Sequence, residues 1–386
     1  MKRNKNLELY IHIPFCVRKC AYCDFLSGPA ESATIEKYVE KVIEEIGAHG
    51  ISGLSEGTLV TTIFFGGGTP SILSGNQMQR LMNALREHFA ISEDAEISME
   101  ANPGTVTIEK LEAYRQAGVN RISFGLQSAK NEELKLLGRI HTWEEFLESF
   151  QLARKCGFDN INVDLISAIP KQTMESWEFS VKQVVSLNPE HISAYSLIIE
   201  EGTPFFEKYG EGTEGEFLLP PEEEEREMYH LTEMLLEEAG YHRYEISNYA
   251  KQGKECKHNL GYWERQDYLG IGLGASGFMD NVRYKNTDEL QKYLTCAGDL
   301  EKIQEDREEL SMSAQMEEFI FLGLRKMKGI SVEEFESMFG QTLEECYGEN
   351  IKRMKLANLL VQEDRFLRLT KKGIDISNYV FAEILN

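Results

Sequence analysis

From residue 7 to about 200 the chain alternates short apolar runs with stretches of helical periodicity. The runs are LELYIHIP (7–14), VTTIFFG (60–66), EISMEA (96–101), RISFGLQS (121–128), NINVDLIS (160–167) and HISAYSLII (191–199). All are rich in β-branched and aromatic residues, the composition of strands. Between the first two, Ile35, Tyr38, Val39, Val42, Ile43 and Ile46 recur at steps of three and four. That spacing lays one apolar stripe along a helix over 34–49 and turns it toward a sheet. Ser74 and Thr107 read as N-caps, and Gly118 and Gly157 as helix stops. Six such units in series predict an α/β fold with a parallel sheet, because each crossover helix returns the chain to the same end. A partial barrel and a doubly wound sheet both suit that count, and either places functional residues at the strands' carboxyl ends.

The repeat stops near residue 200. The glycine-rich YLGIGLGASGF (268–278) lacks the strand–helix context of a dinucleotide fingerprint and reads as a close backbone approach near the barrel mouth. Residues 313–386 read as three helices, the tight hairpin LVQEDRFLRLT (360–370) and a last helix, the pattern of a small winged-helix unit.

Composition narrows the functions. With 386 residues and 42% hydrophobic content the chain has core enough for more than one domain. Its 41 basic and 64 acidic residues give a net charge of −23, which argues against nucleic-acid or anionic-membrane partners. Even the winged-helix stretch holds 10 Lys and Arg against 12 Asp and Glu, too few cations for DNA. PPEEEERE (220–227) reads as a solvated helix start. No signal peptide and no apolar run of about 20 residues is evident, so a cytoplasmic protein without a stable membrane anchor is expected.

Three of the seven cysteines, Cys16, Cys20 and Cys23, crowd into CVRKCAYC directly after the first strand; Cys156, Cys256, Cys296 and Cys346 are scattered and read as ordinary buried thiols. Clustering of this kind points to metal or redox chemistry in a reducing compartment. A structural zinc site would want a fourth soft ligand, which Asp24 and Phe25 do not supply. Three thiolates on an iron–sulfur cubane instead leave one iron with an exchangeable position.

The stretch YIHIPFCVRKCAYCDF resembles the opening of the radical S-adenosylmethionine (SAM) proteins, in which three cysteines hold a [4Fe-4S] cluster and SAM chelates the fourth iron. FFGGGTPS, ISMEANPG, RISFGLQS, LGRIHT and NVDLISAIPKQT are similar to motifs of the branch containing oxygen-independent coproporphyrinogen III oxidase and the HemW-type heme chaperones. The likeness runs in order from about residue 7 to 290. It implies a partial (β/α)6 barrel over 1–240, a segment closing the barrel mouth and carrying a candidate heme region over 241–300, and a mostly helical, winged-helix-like domain over 301–386.

The resemblance also implies roles. Cys16, Cys20 and Cys23 would hold the cluster. Gly67, Gly68 and Thr69 would let the backbone approach the amino and carboxylate groups of SAM, Glu100 and Asp164 would accept from its hydroxyl or ammonium groups, Arg139 would pair with its carboxylate, and Gln127 and Tyr10 would complete the surroundings. HNLGYW (258–263) matches a proposed heme pattern of the HemW type, with His258 as axial ligand and Tyr262 and Trp263 against the macrocycle. Read alone, His258 caps a turn and the aromatics fill a domain junction. Where the oxidase has a fourth cysteine two residues after the third, this chain has Phe25, and only nine residues precede Tyr10. Both departures favour a protein that carries heme to an acceptor hemoprotein over one that decarboxylates coproporphyrinogen.

Overall fold

The computed structural model describes residues 5–52 and 57–385. The six apolar runs form β1 (Lys5–Ile13), β2 (Thr58–Gly67), β3 (Ile91–Ala101), β4 (Arg121–Gln127), β5 (Ile161–Ser167) and β6 (His191–Ser196). Each pairs in parallel with the next. The crossovers carry α1 (Ser32–Ile51), α2 (Gly75–His88), α3 (Ile108–Ala117), α4 (Asn131–Leu136), α5 (Trp143–Lys155) and α6 (Met174–Ser186). The local punctuation follows the sequence: Ser74 and Gln77 form a reciprocal capping box, Thr107 accepts from Lys110 N, and Gly118 ends α3 at φ +109°, a conformation side chains resist. Ile35, Tyr38, Val39, Val42 and Ile46 are all buried in the main core, so the stripe along α1 meets the sheet.

After β6 come α7 (Pro204–Tyr209), α8 (Glu222–Glu238), β7 (His242–Arg243), β8 (Asn248–Ala250), α9 (Lys257–Trp263), β9 (Tyr268–Ile271), β10 (Ser276–Met279), β11 (Val282–Asn286), α10 (Leu290–Cys296), α11 (Leu300–Ile303) and β12 (Gln304–Glu309). The strands extend the six-stranded unit at both edges into one sheet of order β12-β11-β10-β9-β1-β2-β3-β4-β5-β6-β8-β7. β9 lies parallel to β1, a seventh parallel strand that the periodicity did not reveal.

Residues 241–300 divide between the two ends of the barrel. β8 runs antiparallel to β6 with Ala250 opposite His191, so the chain leaves it at the strands' amino ends and α9 plugs that end. There Lys257 N donates to Glu96 Oε2 at 3.0 Å. The turn at Gly272–Gly274 lies at the carboxyl end, where a Cβ on Gly274 would lie 2.4 Å from the Leu26 side chain.

α12 (Met312–Gly323), β13 (Ile330–Ser331), α13 (Val332–Phe339), α14 (Leu343–Leu356), β14 (Leu360–Glu363), β15 (Phe366–Leu369), α15 (Lys371–Asp375) and α16 (Ser377–Leu385) enclose a second core around Ile320, Phe335, Ile351, Leu367 and Val380. The β14–β15 hairpin, with β13 on its other side, is the expected wing. Among the described residues no helix is long and apolar enough to cross a membrane. Of the four scattered cysteines only Cys256 is buried; Cys156, Cys296 and Cys346 are half-buried.

Candidate cluster and cofactor site

The loop after β1 is a fixed structure. Cys16 N donates to Gly28 O at 2.9 Å and Gly28 N to Pro14 O at 3.0 Å, which closes the loop at its base. Its far side is tied to the barrel rim: Ala21 N donates to Leu137 O at 3.1 Å, and Phe205 N to Ala21 O at 3.0 Å. His12, next to last in β1, lies 3.0 Å from Leu26 O through Nε2, which makes it a prop for the loop. All three cysteines are half-buried.

They open on one cavity, whose walls include Gly67, Gly68, Thr69, Glu100, Gln127, Arg139 and Asp164. Ten of the residues singled out in the sequence therefore meet at the carboxyl rim. Tyr10 stands one step back: its hydroxyl lies 3.0 Å from His12 Nδ1 and its ring stacks on Phe64, so it touches the loop only through His12.

The glycines are required by the protein's own packing. Gly67 has φ +106°, and a Cβ there would lie 2.3 Å from the His12 ring; on Gly68 it would lie 2.7 Å from Phe15 O. The backbone of 67–69 thus runs against the cluster loop, with Thr69 N donating to Phe15 O at 2.8 Å and Thr69 Oγ1 to Cys16 Sγ at 3.3 Å. Gln127 ends β4 at φ +77°, a strain of roughly 1–3 kcal/mol for a residue with a side chain.

Beneath the cysteines sit two half-buried carboxyls. Glu100 accepts from Gly67 N at 3.0 Å; burial, and then the neighbouring Asp164, push its pKa up to about 7. Burial also raises Asp164, against which Asn162 Nδ2 donates at 2.7 Å and Ser123 Oγ at 3.2 Å. Across the cavity the Arg139 guanidinium donates to Cys20 Sγ at 3.4 Å and to Gly125 O and Asn102 Oδ1, while its Nε has no partner. Asn102, which also donates to Thr69 Oγ1 at 3.4 Å, was missed as a site residue although it stands in EANPG. Ser123 gave no local signal at all.

His258 is elsewhere, on α9 at the barrel's opposite end. It is 1% exposed, its Nδ1 lies 2.7 Å from Thr62 Oγ1, its Nε2 lies 2.9 Å from Tyr262 OH, and its ring stacks on Phe64. Glu8 lies 3.7 Å from the imidazole, close enough to pair as an ion, yet burial holds both neutral: the carboxyl is pushed up to about 9 and the imidazole down to about 3. Both ring nitrogens lie within hydrogen-bond distance of a hydroxyl.

The Radical SAM superfamily model matches residues 10–184, and the HemN C-terminal domain model matches 310–376. The chain is 40% identical to the heme chaperone HemW of Lactococcus lactis over 97% of its own length and 96% of that protein's. It is 38% identical to the heme chaperone HemW of Bacillus subtilis, over 97% and 98%. The chain belongs to the HemW family. Coproporphyrinogen III oxidase (HemN) from Escherichia coli, a radical SAM enzyme, superposes with a TM-score of 0.83 at 24% identity, covering 99% of this chain and 90% of that one. That likeness establishes the shared fold.

The residues of this HemW-family site fit the cofactors the resemblance implied. The cavity pairs two acceptor carboxyls with a guanidinium, the complement of a sulfonium amino acid with a ribose diol.

Proposed function

We propose that the protein holds a [4Fe-4S] cluster through Cys16, Cys20 and Cys23, binds SAM beside it, and carries heme for delivery to an acceptor hemoprotein. The observation that supports this most is the convergence of three cysteines, Gly67, Glu100, Asp164 and Arg139 in one cavity of a chain 40% identical to a heme chaperone. When bound, a cluster with SAM on its open iron supplies one-electron chemistry. The chain's own residues do the positioning. Thr69 and Arg139 donate to the sulfurs of Cys16 and Cys20, which fixes where those two sulfurs sit. Glu100 and Asp164 offer acceptors below, and the loop's ties to Leu137 and Phe205 hold it over the rim.

The test is an anaerobic incubation of the cluster-reconstituted protein with SAM, a reductant and coproporphyrinogen III, alongside a hemin titration. Saturable hemin binding with intact tetrapyrrole supports the chaperone; loss of two carboxyl groups from the substrate makes the protein an oxidase instead.

A further inference from the structure

The wall behind Asp164 is a polar layer set by strand register. Ser123 on β4 stands beside Asn162 on β5, and Asn162 beside His191 on β6. Asp164 follows Asn162 by two residues, so it lies on the same face, one step nearer the cavity. Ser123, Asn162 and His191 are all buried, His191 completely. A serine, an asparagine and a histidine side by side in a barrel interior are costly unless each finds partners. Here each does, and the partners form a line that ends on the carboxyl.

The hydrogen bonds run in one direction. Tyr244, directly after β7, accepts from Cys256 N on its hydroxyl oxygen at 3.3 Å, and that oxygen lies 2.7 Å from His191 Nε2. Burial pushes the phenol well above its usual range, while burial, and then the Arg121 guanidinium, hold the imidazole well below its own. The phenol therefore keeps its proton and the imidazole is neutral, so the hydroxyl donates to Nε2 and the ring proton sits on Nδ1. Nδ1 donates to Asn162 Oδ1 at 2.6 Å, and Ser193 Oγ donates to the same oxygen at 3.2 Å. With its oxygen occupied, the Asn162 amide turns its nitrogen to Asp164 Oδ1 and to Ser123 Oγ, each at 2.7 Å. Ser123 passes the direction on, donating to Asp164 Oδ2 at 3.2 Å. A carboxylate has about four acceptor positions. One on each oxygen of Asp164 is filled from this wall, which fixes the group's plane and leaves the others for the cavity. The outer end of the line is fixed as well: Tyr244 N donates to Asn248 O at 3.2 Å and Tyr244 O accepts from Met327 N at 3.0 Å.

We propose that His191 is a positioning residue for SAM: through Asn162 it sets the orientation of Asp164, and the Tyr244 hydroxyl sets the direction of the hydrogen bonds that do so. The inference rests on the SAM-binding reading above and extends it to side chains outside the cavity. Neither His191 nor Asn162 lines that cavity, so their effect on the ligand passes through Asp164 and Ser123. A buried network whose members are all satisfied is rigid, and rigidity in an acceptor lowers the ordering cost of binding.

The test is SAM binding by equilibrium dialysis to the anaerobically reconstituted full-length protein, with iron content measured alongside, for the wild type, His191→Leu, His191→Asn and Tyr244→Phe. Leucine approximates the bulk of the ring and offers no donor; asparagine places an amide N–H near the position of Nδ1. His191→Leu should keep wild-type iron and raise the SAM Kd about tenfold, the equivalent of one contact to a charged group. His191→Asn should recover most of that loss, a rescue that mere filling of the core would not give. Tyr244→Phe deletes one oxygen and should raise the Kd about threefold. Unchanged SAM affinity in His191→Leu and Tyr244→Phe would overturn the positioning role, and so would His191→Asn binding no better than His191→Leu. If His191→Leu fails to fold, Tyr244→Phe decides: a weakened Kd supports the role and an unchanged one overturns it. No SAM binding by the wild type would overturn the cofactor reading itself.

Discussion

Glu100→Gln is expected to stabilise the ligand-free protein at neutral and alkaline pH. The carboxyl is half-buried in the cavity, faces Asp164 and accepts from Gly67 N, and its pKa stands at about 7 against an ordinary 4.5. Between those values the native chain keeps a proton that the unfolded chain has lost. Stability from this group is therefore complete below pH 4.5, declines as pH rises, and is gone above about 7. At 1.36 kcal/mol per tenfold change in proton affinity the loss is about 3 kcal/mol. Glutamine is neutral at every pH and its carbonyl can still accept from Gly67, so the variant escapes the loss. Asp164 titrates in the same direction, and because the two carboxyls interact, removing the charge on one eases ionisation of the other and adds to the difference. Urea or thermal unfolding of the cluster-free proteins from pH 5 to 8 measures that difference. The two midpoints should lie close together at pH 5 and separate steadily, with the variant more stable by pH 8. A variant less stable than the wild type at pH 8 would refute the reasoning and show that the carboxylate is well satisfied when ionised. The same variant should bind SAM more weakly, because the uncompensated charge is what a donor on the ligand relieves.

Gly67→Ala forces a Cβ into the His12 ring at φ +106°; the loop propped by His12 should shift, and iron retained after anaerobic reconstitution should fall while the secondary structure by circular dichroism stays. His258→Ala opens a cavity beside Phe64 and strips Thr62 and Tyr262 of their shared partner, which should cost about 2–4 kcal/mol in denaturant unfolding; a cost below 0.5 kcal/mol would mean α9 is not held by this side chain. Trp177→Ala removes a ring that is 1% exposed and donates to Thr232 Oγ1 at 2.9 Å, and should destabilise the barrel by about 3–5 kcal/mol.

The strands, the caps at Ser74 and Thr107 and the cysteine loop could be read from the chain because their signals are local: a run of β-branched residues, a capping pair three residues apart, three cysteines within eight. The cavity residues came mostly from short motifs at strand ends. What stayed hidden depends on long-range pairing. Nothing in YLGI says that it will lie parallel to β1 from some 260 residues away, and nothing in HNLGYW says that His258 will meet Thr62 across 196 positions. An aromatic and histidine cluster has the same sequence appearance whether it faces a ligand or plugs a barrel.

The most direct measurement is the iron and acid-labile sulfide content of anaerobically reconstituted wild type and Cys20→Ser. The account predicts about four of each per wild-type chain and loss of the cluster in the variant. Equal iron and sulfide in the two proteins would contradict it, because Cys20 could then be no ligand and the loop would not be the cluster's seat.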